Sequence, residues 1–185
     1  MSSAAREPAR IETTASVRDV GLINSVICRI AARRIRAPRF RLLETLARHR
    51  LLFWTFLPYS GVLLYVGRLT RRDAETVILR VAHLRECEYE LQQHRRLARS
   101  RGLDDALQAR IFEGPDGDGL TDRQRALLTA TDEFVVDRVV SLDAWTALAQ
   151  HLNKRQLIEF CMLTAQYDGL AATISTLRIP CDFED

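Results

Sequence analysis

The stretch that decides the fold is Glu75-Thr-Val-Ile-Leu-Arg-Val-Ala-His-Leu-Arg-Glu-Cys-Glu-Tyr-Glu-Leu-Gln-Gln-His94. Its composition is strongly helix-forming, and its later part carries a thiol at Cys87, a carboxyl at Glu90 and an imidazole at His94. Offsets of 0, 3 and 7 residues fall on one face of a helix that turns by about 100° per residue. The spacing therefore predicts that these three side chains point in the same direction.

Glu75 lies twelve residues before Cys87. On one straight helix the two residues would stand roughly 18 Å apart, so they share a site only if the helix breaks and the chain folds back. We expect the break at Arg85-Glu86. Cys87 would then lie in the first turn of a second helix, where the helix dipole lowers the pKa of a thiol.

Glu75 and His94 are the candidate pair for proton transfer, because a carboxyl and an imidazole in contact can donate and accept a proton. Glu90 is a second acid or base, or a residue that orients His94. The alternative interpretation is structural: cysteine is often a small buried side chain, and a glutamate and a histidine four residues apart on a helix are often a solvated pair.

These residues resemble the carboxymuconolactone decarboxylase family, which includes the alkylhydroperoxidase D-like proteins. The resemblance rests on a Glu that opens a helix of the form E-x-V-I-L-R-V-A, followed by Cys87, Tyr89, Glu90 and His94. It extends over roughly residue 40 to the C-terminus, through the segments 43–49, 67–75, 120–133 and 156–167, with Trp145. The resemblance implies an all-α bundle of the alkylhydroperoxidase D-like type that assembles as a homotrimer or homohexamer.

The sequence departs from the peroxidase-type members of that family, which carry Cys-x-x-Cys with a histidine four residues later. Glu90 stands at the second cysteine position, and Cys28, Cys161 and Cys181 are far away in the sequence. A dithiol relay needs a resolving thiol beside the attacking one. We therefore expect a decarboxylase-like enzyme that acts on a small carboxylate or lactone. The alternatives are a peroxidase with a single reactive Cys87 and a non-catalytic binding or scaffold protein.

The length and composition favour a single helical domain. The chain has 185 residues, 47% of them hydrophobic, with 8 glycines and 5 prolines and a formal net charge of +3. Such a mild charge does not indicate nucleic acid, although the clustered arginines would suit an anionic substrate. The N-terminus lacks the apolar segment of a signal peptide, and four cysteines make no disulfide framework, so we expect a cytoplasmic protein.

Three regions follow from the pattern along the chain: a disordered tail over 1–16, an amphipathic helical arm over 17–38, and a helical domain over 39–185. The arm carries apolar residues at a helical period, at Val20, Ile23, Ile27 and Ile30. We expect this face to pack on the domain or on a neighbouring subunit, and the alternative is a helix lying on a membrane surface. The apolar stretch from Leu51 to Val66 is too short for a membrane span and is expected to be buried core or a subunit interface.

Helix boundaries can be predicted from capping residues. We expect caps at Thr70, Asp104 and Ser141, capping boxes at Thr121–Gln124 and Asn153–Gln156, a helix stop at Gly102 and another at Pro58. Trp54 and Tyr59 are candidates for a pocket wall or for plain core, and Tyr89 for a substrate carboxylate contact or for packing. His83, eight residues after Glu75, is a further candidate near the same helix face, whereas Tyr167 is expected to be structural. No zinc-site spacing or glycine-rich phosphate loop appears, so neither a metal nor a cofactor is predicted.

Overall fold

The computed structural model describes residues 8–13 and 16–183, and within these ranges the chain forms helices and no strands. The elements are α1 (Val17–Val20), α2 (Leu22–Arg34), α3 (Arg41–Leu46), α4 (Arg50–Gly61), a π-helical segment (Val62–Val66), α5 (Arg71–Leu84), α6 (Glu88–Ser100), α7 (Asp105–Glu113), α8 (Asp122–Val136), α9 (Leu142–Ala149) and α10 (Lys154–Leu177). The predicted all-α class is confirmed. No helix within these ranges is both long and apolar enough to cross a membrane.

The contacts divide the chain into two compact units, one of residues 1–59 and 173–185 and the other of residues 60–172. Most of the predicted tail, residues 1–7 and 14–15, lies outside the described residues. In its described part, the Arg10 N–H donates to the Leu177 carbonyl at 3.0 Å. The first unit has its own core, which is built on five buried residues: Val20, Cys28, Leu43, Ala47 and Phe53.

The second unit is organised around α5. Ten consecutive residues of this helix, Asp73 to Ala82, are buried, and α5 packs against α6, α7 and α8. The core between these helices consists mainly of leucine, alanine and isoleucine side chains, among them Leu79, Leu103 and Ile111. The stretch 75–94, on which the fold prediction is based, therefore contributes the central helix of this unit.

A partly buried ion pair links α5 to α8. The Arg80 guanidinium donates to both carboxylate oxygens of Asp132, at 2.6 and 2.7 Å, and to the carbonyls of Ile111 and Phe112. A bidentate pair that also satisfies its remaining donors can offset the cost of removing both charges from water.

The capping predictions are confirmed. The side chains of Thr70, Asp104 and Ser141 accept hydrogen bonds from the first turns of α5, α7 and α9. Thr121 and Gln124 form the capping box of α8, and Asn153 and Gln156 exchange the corresponding hydrogen bonds at the start of α10. Gly102 follows α6 with φ of 82°, the left-handed conformation that ends a helix.

The prediction for Pro58 is wrong, and that for the apolar face of the arm is confirmed for Val20 and Ile27 but is wrong for Ile23 and Ile30. Pro58 does not stop a helix but lies inside α4, which loses one backbone hydrogen bond there and continues into the π-helical segment. On α2, Ile23 and Ile30 are exposed, whereas Asn24 and Ser25 are buried. The helix is rotated from the predicted orientation because its inward face also contains Cys28 and Ala32, and Asn24 Nδ2 donates to the Ala47 carbonyl at 3.4 Å.

The apolar stretch from Leu51 to Val66 is not a buried core. Phe53 and Leu63 are buried, but most of the other large apolar side chains are exposed: Leu51, Leu52, Trp54, Val62, Tyr65 and Val66. The first of the two interpretations, buried core, is therefore wrong for these side chains within the described chain. The second interpretation, a subunit interface, stays a prediction.

Candidate active site

The reversal between α5 and α6 brings Glu75 and His94 into contact. Arg85 ends α5, Glu86 takes a left-handed conformation with φ of 50°, and Cys87 is the N-cap of α6. The chain thus breaks where the sequence predicted. His94 Nδ1 lies 2.8 Å from Glu75 Oε2, and both side chains are buried.

This contact decides which ring nitrogen of His94 carries a proton when the ring is neutral. A carboxylate accepts hydrogen bonds, so it favours the tautomer with the proton on Nδ1. Nε2 then keeps its lone pair and can accept a proton from another group. Glu75 therefore orients the ring and stabilises the cation that forms when Nε2 is protonated.

Tyr167 of α10 packs its ring edge-on against His94, with the ring centroids 5.1 Å apart and the planes at 87°. Burial is the main cause that raises the pKa of Tyr167 well above 10, and the nearby Glu90 and Glu75 carboxyls add to it. The phenol is therefore neutral at physiological pH. The sequence prediction treated Tyr167 as structural, and the structure brings it to the candidate site.

Glu90 is a buried acid one helical turn before His94. Neither of its carboxyl oxygens has a hydrogen-bond partner of ordinary geometry among the residues that the structure describes. Burial raises its pKa from 4.5 to about 8, the Cys87 thiol lowers it, and the charge of Asp168 raises it again. Glu90 is thus mostly a neutral carboxylic acid at pH 7 and can donate a proton.

Cys87 is buried at the α5–α6 turn, where its backbone N–H donates to the Ala82 carbonyl at 2.9 Å. It lies one position earlier than predicted, at the N-cap rather than in the first turn, because Glu86 absorbs the reversal of the chain. The Cys87 thiol is the group that lowers the pKa of Glu90. The lowered pKa that we expect for this thiol stays a prediction.

A charged group that the sequence analysis missed lies beside Glu90. Asp168 of α10 is buried and pairs with both Arg85 and Arg138. Arg85 also donates to the Val135 carbonyl at 2.8 Å. The two arginines surround the Asp168 carboxylate with positive charge. The available signal was Asp168, which follows Tyr167 in an otherwise uncharged part of α10.

The other predicted site residues are distributed as follows. Tyr89 is buried in α6, next to Glu90 in the sequence. Trp54 and Tyr59 belong to the first unit, where Trp54 is half-exposed and packs edge-on against Phe53. Their part in the site stays a prediction.

His83 lies outside this constellation. Its ring is exposed and stacks on Phe112, with the ring centroids 5.0 Å apart. Within the described part of the chain, no group of three or more histidine, cysteine, aspartate or glutamate residues is arranged to hold a metal ion.

A comparison with protein families finds one whose members the middle of the chain resembles. Residues 50–133 match the model of the Carboxymuconolactone decarboxylase family. Over this segment, which is 84 of the 185 residues, the chain is similar to that family. The matched segment includes Glu75, Cys87, Tyr89, Glu90 and His94, whereas Tyr167 and Asp168 follow it. No curated protein matches the chain in sequence.

Solved structures share the fold of this chain. An uncharacterized peroxidase-related protein from Silicibacter sp. TM1040 superimposes with a TM-score of 0.81 at 15% identity, covering 96% of this chain and 94% of the other. An uncharacterized peroxidase-related protein from Ralstonia eutropha JMP134, with an alkylhydroperoxidase AhpD core, gives a TM-score of 0.79 at 17% identity, with coverages of 95% and 93%. At these identities the likeness shows the fold.

Proposed function

We propose that this protein is a decarboxylase-like enzyme that transfers protons to and from a small carboxylate or lactone. The observation that supports this most strongly is the buried contact between His94 Nδ1 and Glu75 Oε2. A buried pair of this kind, with a neutral acid one turn away on the same helix, supplies both a proton acceptor and a proton donor.

The proposed chemistry assigns one role to each group. The bond between the substrate carbon and its carboxylate breaks, carbon dioxide leaves, and the electron pair stays on the carbon. Glu90, neutral before the reaction, donates its proton to that carbon and is left as a carboxylate. Nε2 of His94 takes up a proton from the solvent and returns it to Glu90, so that one proton is consumed for each carbon dioxide released. Glu75 holds the imidazole and balances the charge that forms on it.

A screen of small lactone carboxylates and carboxylic acids tests this proposal. We expect carbon dioxide release, or exchange of a substrate proton for deuterium in D₂O, with at least one compound. Absence of both across the panel, with the protein folded, would contradict the decarboxylase-like activity.

A second candidate function is a peroxidase that works with Cys87 alone, and the proximity of Cys87 to Glu90 favours it. The thiolate would attack the distal oxygen of a hydroperoxide, the O–O bond would break, and Glu90 would protonate the departing alkoxide. This gives an alcohol and a sulfenic acid, which two equivalents of an external thiol reduce to the thiol and water with formation of their disulfide. A carboxylic acid with a pKa near that of a thiol exchanges a proton with it at little cost.

The rate of Cys87 alkylation against pH tests this second candidate. We expect Cys87 to react with an apparent pKa below the free value of about 8.5, and His94→Ala and Glu75→Gln to shift it. Cys28 is an internal control, because burial and Glu44 raise its pKa to about 11. Mass spectrometry of the peptides distinguishes the two thiols. A Cys87 that is inert or titrates normally in all three proteins would remove the peroxidase candidate and leave the decarboxylase-like and non-catalytic alternatives.

We further propose that the protein assembles as a homotrimer or homohexamer. The exposed apolar side chains of Leu51, Leu52 and Trp54 in the first unit, and of Val62, Tyr65 and Val66 in the second, support this, since a monomer rarely leaves such groups in water. Analytical ultracentrifugation should show three or six copies, and Leu51→Glu with Val66→Glu should dissociate them. A monomer at micromolar concentration would contradict the assembly.

A further inference from the structure

Helix α2 buries a mixed face of Asn24, Ser25, Cys28 and Ala32 and exposes large apolar side chains on its other side. Asn24 and Ser25 are 3% and 1% exposed, whereas Leu22 and Ile23 are 65% and 64% exposed. Val26 and Ile30 are also exposed. At about 100° per residue, these four apolar side chains fall within an arc of roughly 100°. We call this set, Leu22, Ile23, Val26 and Ile30, the α2 outer face.

Unpaired positive charge borders the α2 outer face. Arg29 and Arg34 lie roughly 20° beyond its two edges on the helix, and Arg33 lies within its arc at the C-terminal end. All three are exposed, and none forms an ion pair with a residue that the structure describes. Helix α2 contains no acidic residue.

The segment around α2 also carries an excess of positive charge. Residues 17–59 contain nine arginines and two acids, Asp19 and Glu44. Both acids are engaged, Asp19 with Arg48 and Glu44 with Arg39. At the N-terminal end of α2, Arg50 Nη2 lies 3.2 Å from the position that a Cβ on Gly21 would take. Positive charge therefore stands at both ends of the α2 outer face.

We propose that the α2 outer face binds an anionic lipid surface, with α2 lying in the plane of the headgroups. An exposed apolar stripe edged by arginines is the pattern of interfacial helices, whose apolar side chains enter the acyl boundary while the cations remain among the headgroups. A second copy of the chain is the less favourable occupant, because pairing two such faces would bring two unneutralised sets of arginines together. The proposal is independent of the proposed catalytic function.

Sedimentation of the full chain with vesicles tests it. We expect binding to vesicles of mixed phosphatidylcholine and phosphatidylglycerol, weak binding to phosphatidylcholine alone, and loss of binding as salt rises from about 0.1 M to about 1 M, where the Debye length falls to about 3 Å. Each arginine near an anionic surface is worth about 1 kcal/mol, or about fivefold in affinity. Arg29→Gln with Arg33→Gln should therefore weaken binding by about 25-fold.

Further variants distinguish binding through the α2 outer face from nonspecific adsorption to the vesicles. Ile30→Asp should abolish binding, and circular dichroism should show an unchanged helix content because Ile30 is exposed. The matched controls are Leu142→Asp and Arg101→Gln, which change exposed residues of the other unit and should bind as the wild type does. Equal binding to both vesicle types, or equal losses in the controls, would overturn the proposal. A smaller oligomer in Ile30→Asp, with lipid binding unchanged, would overturn it in favour of a second copy.

Discussion

Glu90→Gln is expected to stabilise the protein increasingly as pH rises, with the gain over the wild type growing by about 4 kcal/mol between about pH 5 and about pH 8.5. The folded state holds the Glu90 proton up to a pKa of about 8, whereas the unfolded chain loses it near 4.5. The folded wild type thus binds more protons across this range, so its stability falls as pH rises through it. Glutamine has the same shape and never ionises, so the variant lacks this loss.

Urea unfolding of both proteins at several pH values measures the effect. The difference between the two free energies of unfolding, rather than either value alone, carries the test, because the glutamine N–H groups change the hydrogen bonding equally at every pH. Glu88→Gln is the matched control: Glu88 is an exposed glutamate in the first turn of the same helix, and its substitution should leave the pH profile parallel to that of the wild type. Parallel profiles for Glu90→Gln as well would show that Glu90 is ionised in the folded protein, and Glu90 could not then be the proton donor.

Loss of either partner of the Glu75–His94 pair should lower the rate of substrate proton transfer by about 10²–10⁴, the range for a positioned acid or base. His94→Ala removes the acceptor, and Glu75→Gln removes the charge that stabilises the protonated ring. Because the two residues act as one unit, the double variant should be little slower than the slower single variant. The assay is carbon dioxide release or deuterium exchange with the substrate found in the screen.

His83→Ala is the control for this series. It removes an exposed histidine near the end of α5, stacked on Phe112, and should retain the wild-type rate. A His94→Ala variant that is folded and fully active would contradict the proposed role. Additive losses in the double variant would show that Glu75 and His94 act separately.

The sequence predicted the fold well wherever the determining signals are local. The caps at Thr70, Asp104, Thr121 and Ser141 depend on hydrogen bonds within one helical turn, and a residue pattern of that length is visible in the sequence. The break at Arg85-Glu86 was predictable for a related reason, since Glu75 and His94 could meet only if the helix reversed between them.

Apart from Pro58, which lies inside α4 although proline is a local signal for a helix stop, the failures depend on contacts between distant parts of the chain. Tyr167 lies 73 residues after His94, and no local pattern indicates that α10 places its ring against the imidazole. The orientation of α2 was wrong because apolar periodicity favours burial of isoleucine, whereas the contact of Asn24 with Ala47 fixes the opposite face inward. That same discrepancy is the basis for the proposed lipid contact.

The tautomer of His94 tests the central claim most directly, because it needs no substrate. Nitrogen-15 correlation spectra of the histidine rings distinguish a proton on Nδ1 from one on Nε2, and the protein has four histidines to assign. We predict that neutral His94 carries its proton on Nδ1 in the wild type, and that Glu75→Ala shifts the population towards Nε2. A wild-type His94 protonated on Nε2, or a tautomer that Glu75→Ala leaves unchanged, would contradict the pairing on which the proposed proton transfer depends.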